Sequence, residues 1–296
     1  MAAALHLLLA LPADYAVDQV LAFHGRDIEG VSEQVSAVHL RKAVMLDGVA
    51  VLLEVQFAPG EARCTISADA VLTSRACTMA SEALHNILGL RIDPAPFLAM
   101  ARDDPLLGAV ARRHGGLRVV QSASVFEALT WAIIGQQINL PFAIALRRSF
   151  IKQAGRRHSS GLFCYPEAHD VAAIDIDDLL RQKFSRAKAQ TLLRLASLVV
   201  DGSVSLSREA DIASTSATLL AIKGIGPWTV NYALLRGYGY ADCSLHGDVA
   251  IRSALQRLLG EEDKPSMART EALLAQWAPQ RTMAAALLWA SLAPPD

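Results

Sequence analysis

One stretch of the sequence combines residue types that could bind an anion with one that could assist the breaking of a bond. Gly224, Ile225 and Gly226 lie between two helical patterns, and Pro227 follows them directly. Glycines permit a sharp turn and let a phosphate oxygen come close to main-chain N–H groups, and proline suits the first turn of the next helix. Further along, Asp248 stands just ahead of another apolar helical pattern. The pattern predicts an anion-binding turn followed by a carboxylate at the start of a helix.

Each of these features also has a purely structural explanation. A Gly-x-Gly sequence before a helix is often only a tight connection between two helices. Asp is common at the N-cap of a helix, because its side chain accepts a hydrogen bond from a free main-chain N–H group. A Walker phosphate loop is excluded, because no Gly-Lys-Ser or Gly-Lys-Thr sequence follows the glycines. Taken one at a time, both features favour the structural explanation.

The first hundred residues predict a compact α+β unit. Asp47 and Gly48 stand between two apolar, β-branched runs, and this is the strongest short-range signal of a β-hairpin because both residues tolerate a positive φ. Pro59 and Gly60 mark a second turn. The predicted elements are a strand over 5–11, a short helix over 15–24, paired strands over 35–57, a strand over 64–67, a helix over 71–88 and a linker at 93–96.

Beyond Phe97 the sequence changes to helical patterns separated by short polar or glycine-bearing breaks, and we predict that this part of the chain is all-α. Ser124 and Glu127 have the spacing of a capping box, in which both side chains satisfy free N–H groups at a helix start. The pattern predicts a helix from there to about Ala154. Pro141 within it indicates a kink or a restart of the helix.

Composition limits the class of protein. The chain has 296 residues, enough for more than one core, and 52% of them are apolar. Its most apolar stretches lie at 1–12 and 283–295. They are shorter than the ~20 apolar residues that a membrane-spanning helix needs, or their flanking residues differ from those of such a helix. The start lacks the basic region of a secretory signal. We therefore expect a protein without a membrane segment.

The cysteines and the charge pattern give further limits. Cys64, Cys77, Cys164 and Cys243 lie far apart with no Cys-x-x-Cys pair, which favours a reducing cytoplasm over a zinc site or a disulfide framework. The net charge of −1 argues against a surface that is basic throughout. Arg and Lys nevertheless outnumber Asp and Glu over 102–157. That segment predicts either a local basic face or a set of solvated helix faces.

The sequence from 219 to 232 closely resembles the helix-hairpin-helix element of DNA glycosylases, and 245–252 matches the segment that holds that family's catalytic Asp. Because the hairpin lies at the expected distance upstream, the resemblance favours a functional role for Asp248 over an ordinary N-cap. Four further segments resemble the 3-methyladenine DNA glycosylase II branch, so that the resemblance covers nearly the whole chain. They lie at 103–108, 116–118, 126–138 and 277–289.

The resemblance implies an α+β fold class with two main parts. The N-terminal unit, 1–100, is similar to the TATA-binding-protein-like domain of this branch. Residues 101–296 would form the all-α helix-hairpin-helix region. In that region about 125–240 would be a central helical subdomain with the hairpin, and 101–124 plus 241–296 a second subdomain.

The implied activity is hydrolysis of the N-glycosidic bond of alkylated purines, of the 3-methyladenine type, in duplex DNA. The base is rotated out of the helix, and Asp248 would stabilise the oxocarbenium-like state of the sugar. Bifunctional relatives carry a lysine at the position of Trp228, so Schiff-base chemistry is not expected here. The resemblance thus implies a monofunctional glycosylase.

Other site residues are implied by the same resemblance. Trp228, Tyr232 and Trp289 match the base pocket, where aromatic faces attract a cationic base, although each could equally belong to the core. Gln136 and Gln137 match the loop that fills the gap in the DNA, although each could instead cap a helix or hydrogen-bond within a crowded turn. The DNA-binding set comprises Gln136, Gln137, Lys223, Gly224, Ile225 and Gly226, with Lys223 at a phosphate or on a solvated surface.

No metal-ligand set is indicated, and no iron–sulfur cluster is expected because no cysteine follows Cys243. Relatives hold a monovalent cation with main-chain carbonyls of the hairpin, and whether this chain does so stays an open question. We expect a monomer that acts on double-stranded DNA containing damaged purines, in the cytoplasm at the nucleoid. A glycosylase for oxidised or deaminated purines and a non-catalytic DNA-binding protein remain alternatives. His24, His246 and Arg281 receive no role.

Overall fold

The structure is a computed structural model that describes residues 4–293. Residues 1–3 of the predicted N-terminal unit and residues 294–296 of the predicted helical region therefore lie outside the described residues. Within this range, five strands form one antiparallel sheet in the order β1-β5-β4-β3-β2. Leu46 pairs with Val49 across the predicted turn, and Asp47 and Gly48 both have positive φ, which confirms the predicted hairpin. The strands are β1 (Leu5–Ala10), β2 (Glu33–Ser36), β3 (His39–Leu46), β4 (Val49–Ala58) and β5 (Glu61–Ala68).

The helices confirm the predicted change from a mixed to a mainly helical pattern. Two helices accompany the sheet, α1 (Val17–His24) and α2 (Ser74–Ile87). The others are α3 (Ala95–Ala101), α4 (Gly108–Arg113), α5 (Val125–Gly135), α6 (Leu140–Ala154), α7 (Ala168–Ala172), α8 (Ile176–Arg181), α9 (Arg186–Val200), α10 (Ile212–Leu220), α11 (Pro227–Ala233) with a π-helical continuation over Leu234–Tyr238, α12 (Val249–Leu259), α13 (Met267–Ala275) and α14 (Arg281–Ala290).

The sheet is covered because its strands carry apolar side chains on both faces. Val51, Leu53 and Val55 alternate along β4 and join the main core with α2, whose Ala80 and Leu84 are fully buried. Thr73 caps α2 by accepting a hydrogen bond from the N–H of the third residue of the helix. Burial of these apolar side chains is the main stabilising term of the unit.

The opposite face of the sheet is covered by an extended segment from the helical part of the chain. Tyr165 and Ala43 are joined by a main-chain hydrogen bond of 3.0 Å, and Met45 donates another of 3.0 Å to Tyr165. Leu162 and Cys164 pack on Leu52 in a small separate core. The prediction that everything beyond Phe97 is all-α is therefore wrong at 156–166, where the chain returns to the sheet and pairs with the part of β3 that β2 leaves open.

The predicted long helix from Ser124 to Ala154 is two helices. After α5, Gln136 leaves the helical conformation and Gln137 has a left-handed φ of 56°. Asn139 then caps α6, and Pro141 lies in its first turn, so the proline marks a restart and not a kink. The predicted linker at 93–96 likewise holds the first residues of α3, because proline is tolerated in the first turn of a helix.

The predicted capping box at the start of α5 is only half formed. Ser124 accepts the N–H of Glu127, but the Glu127 carboxylate accepts the N–H of Ala123, not that of Ser124. Glu127 also binds Lys42 from β3 and Arg147 from α6, at 2.8 and 2.9 Å. Its carboxylate is therefore used to join the sheet to two helices.

Five of the nine basic residues over 102–157 form ion pairs, so the segment is less basic than its sequence suggests. The Arg148 guanidinium binds Asp27 at 2.7 Å and also binds Glu29. The remaining ion pairs of this segment are Arg118 with Asp14, Arg147 with Glu127 and Glu33, Lys152 with Glu29, and Arg156 with Asp170.

The last helices close the fold. The indole N–H of Trp277 donates to the Asp104 carboxylate at 2.8 Å, and α14 packs against α12 and α4. This contact joins the segment near 101–124 to the C-terminal part of the chain. None of the helices in residues 4–293 has the length and apolarity that a bilayer crossing requires.

Candidate functional site

The hairpin between α10 and α11 has the conformation that its sequence predicts. Gly224 has a φ of 100°, and a side-chain carbon there would lie 2.0 Å from the Thr191 hydroxyl of α9. Glycine is needed at this position for both reasons. Ile222 and Ile225 are buried and anchor the loop in the core, which leaves its main chain at the surface.

The predicted DNA-binding residues meet at this hairpin. Gln136, in the break between α5 and α6, donates hydrogen bonds to the carbonyl of Gly224 at 3.0 Å and to the Thr229 hydroxyl at 2.9 Å. The neighbouring Gln137 is exposed. Lys223 is also exposed, and its main-chain carbonyl accepts a hydrogen bond from Arg194 at 3.0 Å. The hairpin and the break thus form one continuous surface, on which Gln136 is held by protein atoms and Gln137 is free to contact a ligand.

Asp248 is both the N-cap of α12 and the centre of a polar cluster. Its Oδ1 accepts the N–H of Ile251 at 3.0 Å and the indole N–H of Trp289 at 3.3 Å. Its Oδ2 accepts the indole N–H of Trp228 at 2.9 Å. Only 9% of the residue is exposed. Among residues 4–293 these three groups are its hydrogen-bond partners and no Lys, Arg or His pairs with it, so the carboxylate is oriented without being neutralised.

The three aromatic residues singled out in the sequence lie together beside this carboxylate. The rings of Trp228 and Tyr232 are 5.3 Å apart between centroids, and those of Tyr232 and Trp289 are 6.4 Å apart. The Tyr232 hydroxyl accepts the indole N–H of Trp131 at 2.8 Å. The structure therefore brings Asp248 and all three predicted pocket aromatics to one place.

Four other residues of this cluster were not predicted from the sequence. The ring of Phe23, in α1, lies against two guanidinium groups. The distance from its centroid to the guanidinium carbon is 3.8 Å for Arg26 and 4.7 Å for Arg236. The guanidinium carbon of Arg236 is also 5.1 Å from the ring centroid of Trp289, and that of Arg26 is 5.9 Å from the ring centroid of Trp131. Arg236 follows Tyr232 by one helical turn, so helical spacing could have indicated it. No local signal could have indicated Phe23, because it belongs to the N-terminal unit.

Burial changes the acidity of both arginines. Desolvation lowers the pKa of Arg26 to about 10, although the nearby Tyr232 raises it. Desolvation also lowers the pKa of Arg236 below its ordinary value. Both guanidinium groups remain charged at neutral pH, so the part of the cluster around Phe23 is positive.

A narrow cleft extends from Tyr232 and Trp131 towards the sheet and ends at a buried ionic network. Lys42 there binds Glu33 and Glu127. Burial opposes the charged form of Glu33, but Lys42 and Arg147 outweigh this and hold the pKa of that carboxyl well below its usual range. Burial likewise lowers the pKa of Arg147, and the two carboxylates raise it above its ordinary value. In this network both cations, Lys42 and Arg147, are paired with both carboxylates, those of Glu33 and Glu127.

The residues that received no role have structural partners. His24 is buried, with Nε2 at 2.8 Å from the carbonyl of Ile87. The imidazole of His246 hydrogen-bonds the Ser244 hydroxyl at 3.0 Å. Arg281 pairs with Asp242 through two hydrogen bonds of 2.6 and 2.7 Å, which lower the pKa of the Asp242 carboxyl.

One group of side chains in residues 4–293 has the spacing of a metal site, namely Glu167, His169 and Asp170. Its acids already serve structure. The Glu167 carboxylate accepts the N–H groups of Asp47 and Gly48, at 2.8 and 2.9 Å, and forms a capping box with Asp170. These contacts account for the group without a metal ion.

Comparisons with known proteins show the family of the chain. Residues 130–280 match the HhH-GPD superfamily of base excision DNA repair proteins. The chain is 30% identical over 211 residues to a DNA-3-methyladenine glycosylase of Bacillus subtilis, which is 70% of each protein.

Solved structures resemble it in fold. A 3-methyladenine DNA glycosylase from Archaeoglobus fulgidus matches with a TM-score of 0.81 and 22% identity, over 96% of this chain and 97% of that one. The Schizosaccharomyces pombe 3-methyladenine DNA glycosylase, in complex with abasic DNA, matches with a TM-score of 0.53 and 20% identity, over 71% and 95%. These matches confirm the predicted fold class, an α+β unit followed by a helical glycosylase region.

Proposed function

This chain belongs to the HhH-GPD superfamily of base excision DNA repair proteins, and from that premise we propose that it is a DNA glycosylase that removes alkylated purines of the 3-methyladenine type from duplex DNA. The observation that carries the proposal is the geometry of Asp248. A carboxylate that is buried, oriented by three N–H donors and unpaired with any cation among the described residues is suited to stabilise positive charge on a substrate.

The reaction is hydrolysis. The bond between C1′ of the sugar and the base nitrogen breaks, and its electron pair leaves with the base. Positive charge develops on the sugar, and the Asp248 carboxylate stabilises it electrostatically. The oxygen of a water molecule then bonds to C1′, and its proton is released. An alkylated purine already carries a positive charge and leaves as a neutral base, so it needs little help from a general acid.

The aromatic cluster supports an alkylated purine as the substrate. The π faces of Trp228 and Trp289 and the charge of Asp248 attract a cationic base. The arginines beside Phe23 repel it, and they would favour a base with hydrogen-bond acceptors. An oxidised or deaminated purine is therefore a second candidate class, and the two arginines of the cluster are the observation that favours it.

We also propose that the enzyme is monofunctional. The hairpin position at which bifunctional relatives carry a lysine is Trp228, whose indole N–H is bound to Asp248 at 2.9 Å and offers no amine. The nearest hairpin lysine, Lys223, is exposed, whereas Asp248 is buried. This difference in burial supports hydrolysis by water over a Schiff base.

The hairpin is proposed to bind a DNA phosphate through main-chain N–H groups, with Gln137 entering the space that the rotated base leaves. A monovalent cation at the hairpin carbonyls stays an expectation from the resemblance. Two of these carbonyls, those of Lys223 and Gly224, accept hydrogen bonds from Arg194 and Gln136, and each oxygen keeps a second lone pair. The proposed reaction uses neither a cation nor an iron–sulfur cluster.

The domain division is part of the same proposal. The five-stranded sheet with α1 and α2 is proposed to be the TATA-binding-protein-like domain of this branch. The hydrogen bond between Trp277 and Asp104 supports a subdomain built from 101–124 plus 241–296, with the hairpin on the central subdomain. The pocket would then lie where the three parts meet, and a monomer would hold all of its residues.

The direct test is release of 7-methylguanine or 3-methyladenine from methylated duplex DNA. The wild-type protein should release these bases, and Asp248→Asn should bind the same DNA without releasing them. If neither protein released any damaged purine while both bound DNA, the chain would be a non-catalytic binding protein.

A further inference from the structure

The hydroxyl of Tyr232 is hydrogen-bonded to a neighbouring side chain. Its oxygen accepts the indole N–H of Trp131 at 2.8 Å. This partner is a donor only, because an indole has no acceptor atom. The Tyr232 oxygen is therefore the acceptor in this bond, and the hydroxyl proton is left for another partner.

No acceptor for that proton is found among the hydrogen bonds of residues 4–293. The residue is 8% exposed and lines the cleft together with Trp131 and Arg236. An acceptor for this proton therefore comes from outside the protein, as water or as a group of a bound ligand. A polar group in such a place is expected to find a partner when a ligand excludes water.

The spacing of the rings limits how a base can stack on this tyrosine. The ring centroids of Tyr232 and Trp289 are 6.4 Å apart and the ring planes are inclined by 55°. A base stacked between two parallel rings would need about 7 Å, since each contact takes about 3.5 Å. A base therefore does not fit between these two rings in this geometry, and a polar contact with the hydroxyl is a second way for Tyr232 to bind it.

We propose that the Tyr232 hydroxyl donates a hydrogen bond to an acceptor atom of the base rotated out of the DNA, and that Trp131 is the positioning residue that leaves this proton available to the cleft. The inference rests on the proposed glycosylase function. It assigns to Tyr232 a role in selecting bases by their acceptor atoms, in addition to its ring.

The consequence depends on the charge of the leaving base. A cationic base such as 7-methylguanine becomes neutral when the C1′–N bond breaks. A neutral base such as hypoxanthine takes up the electron pair as negative charge, which spreads over its ring nitrogens and carbonyl oxygen. A hydrogen bond to an ionic acceptor is stronger than one to a neutral acceptor, so the hydroxyl stabilises the second transition state more. The water then supplies hydroxide to C1′ and a proton to the base, and Tyr232 keeps its proton.

The test compares single-turnover release of hypoxanthine and of 7-methylguanine from otherwise identical duplexes. Tyr232→Phe keeps the ring and removes the hydroxyl. It should slow release of hypoxanthine about tenfold and release of 7-methylguanine less than about threefold. Tyr238→Phe is the matched control, because the Tyr238 hydroxyl has no hydrogen-bond partner among residues 4–293, and it should change neither rate.

The positioning role has its own readout. Trp131→Phe should lower the ratio of the two rates in the same direction, and the double variant with Tyr232→Phe should lower it no further. A purely structural role for Trp131 would slow both substrates equally or would add to the effect of Tyr232→Phe, and either result would overturn the positioning role.

The remaining outcomes are decisive as well. An unchanged ratio in Tyr232→Phe overturns the proposal while leaving the glycosylase function intact. Release of 7-methylguanine without any release of hypoxanthine by the wild type also overturns it, because a donor aimed at the base should make the neutral base a substrate. If the wild type released neither base, the proposed function itself would be wrong, and this inference with it.

Discussion

Replacing Asp248 by Asn separates the charge of the side chain from its role as a helix cap. An Asn oxygen can still accept the N–H of Ile251, which Oδ1 of Asp248 accepts at 3.0 Å. The amide nitrogen of Asn would then face the indole N–H of Trp228, where Oδ2 now accepts a hydrogen bond of 2.9 Å. Two donors would meet there, and the unpaired indole should lower the free energy of unfolding by about 1–3 kcal/mol. The variant should remain folded.

The loss of activity should be far larger than the loss of stability. A unit negative charge about 4 Å from a developing positive charge contributes about 4 kcal/mol at an effective dielectric constant of about 20. This energy corresponds to about 10³-fold in rate, since each ~1.4 kcal/mol is a factor of ten. Asp248→Asn should therefore slow single-turnover release of 7-methylguanine by about three orders of magnitude, with the affinity for methylated duplex DNA nearly unchanged.

The matched control is Asp175→Asn. Asp175 caps α8 by accepting a main-chain N–H at 2.8 Å, and no indole binds it. This variant should change neither release nor binding. A loss of less than about tenfold in folded Asp248→Asn would refute the electrostatic argument, because the charge would then contribute less than ~1.4 kcal/mol. A parallel loss of DNA binding would instead indicate that the substitution damages the surface and not the chemical step.

Three further predictions test the fold and the DNA contact, two of them with a control variant. Glu127→Gln removes a buried charge from the ionic network at the end of the cleft, and it should lower the free energy of unfolding in urea by about 3–5 kcal/mol. The control, Glu54→Gln, breaks an exposed ion pair and should lower the free energy of unfolding by less than about 1 kcal/mol. Gly224→Ala should lower the melting temperature strongly, because this residue has a positive φ and a side chain here would clash with Thr191. Gly226→Ala should lower the melting temperature little, because this residue has a negative φ and open space around it. Equal shifts in the two variants would contradict this explanation. Gln137→Ala should slow the release of a fully paired base more than the release of a mismatched base, because rotating a paired base out of the helix costs a few kcal/mol more. Equal slowing of both would show that Gln137 does not fill the space that the rotated base leaves.

Local patterns predicted the elements where local chemistry decides the conformation. Asp47 and Gly48 form the predicted turn because both tolerate positive φ, and Gly224 has the left-handed conformation that the hairpin needs. Pro141 indicated an interruption of the helix predicted over 124–154, but the non-helical residues at 136–139 were not predicted. The break depends on Gln137 adopting a φ of 56° and on Gln136 binding the hairpin, and both are tertiary effects.

Distant contacts explain what the sequence could not indicate. Part of the basic run over 102–157 is neutralised by acids such as Asp27 and Glu33, which lie in the N-terminal unit. Phe23 belongs to the same unit and meets Arg236 only because the sheet packs against the helical region. A sequence pattern reports neighbours along a helix or a strand, so residues contributed by a second unit leave no trace in it.

Asp248 shows why a structural and a catalytic explanation of one residue need not compete. As an N-cap, its Oδ1 is fixed by the N–H of Ile251, and this places the carboxylate at the start of α12. The indoles of Trp228 and Trp289 then fix its rotation about the side chain. A carboxylate held only by the cap could turn away from the pocket, and one held only by indoles would move with them. The same cap that makes Asp248 unremarkable in the sequence therefore supplies the rigidity that a charge needs if it is to stabilise a transition state without rearranging.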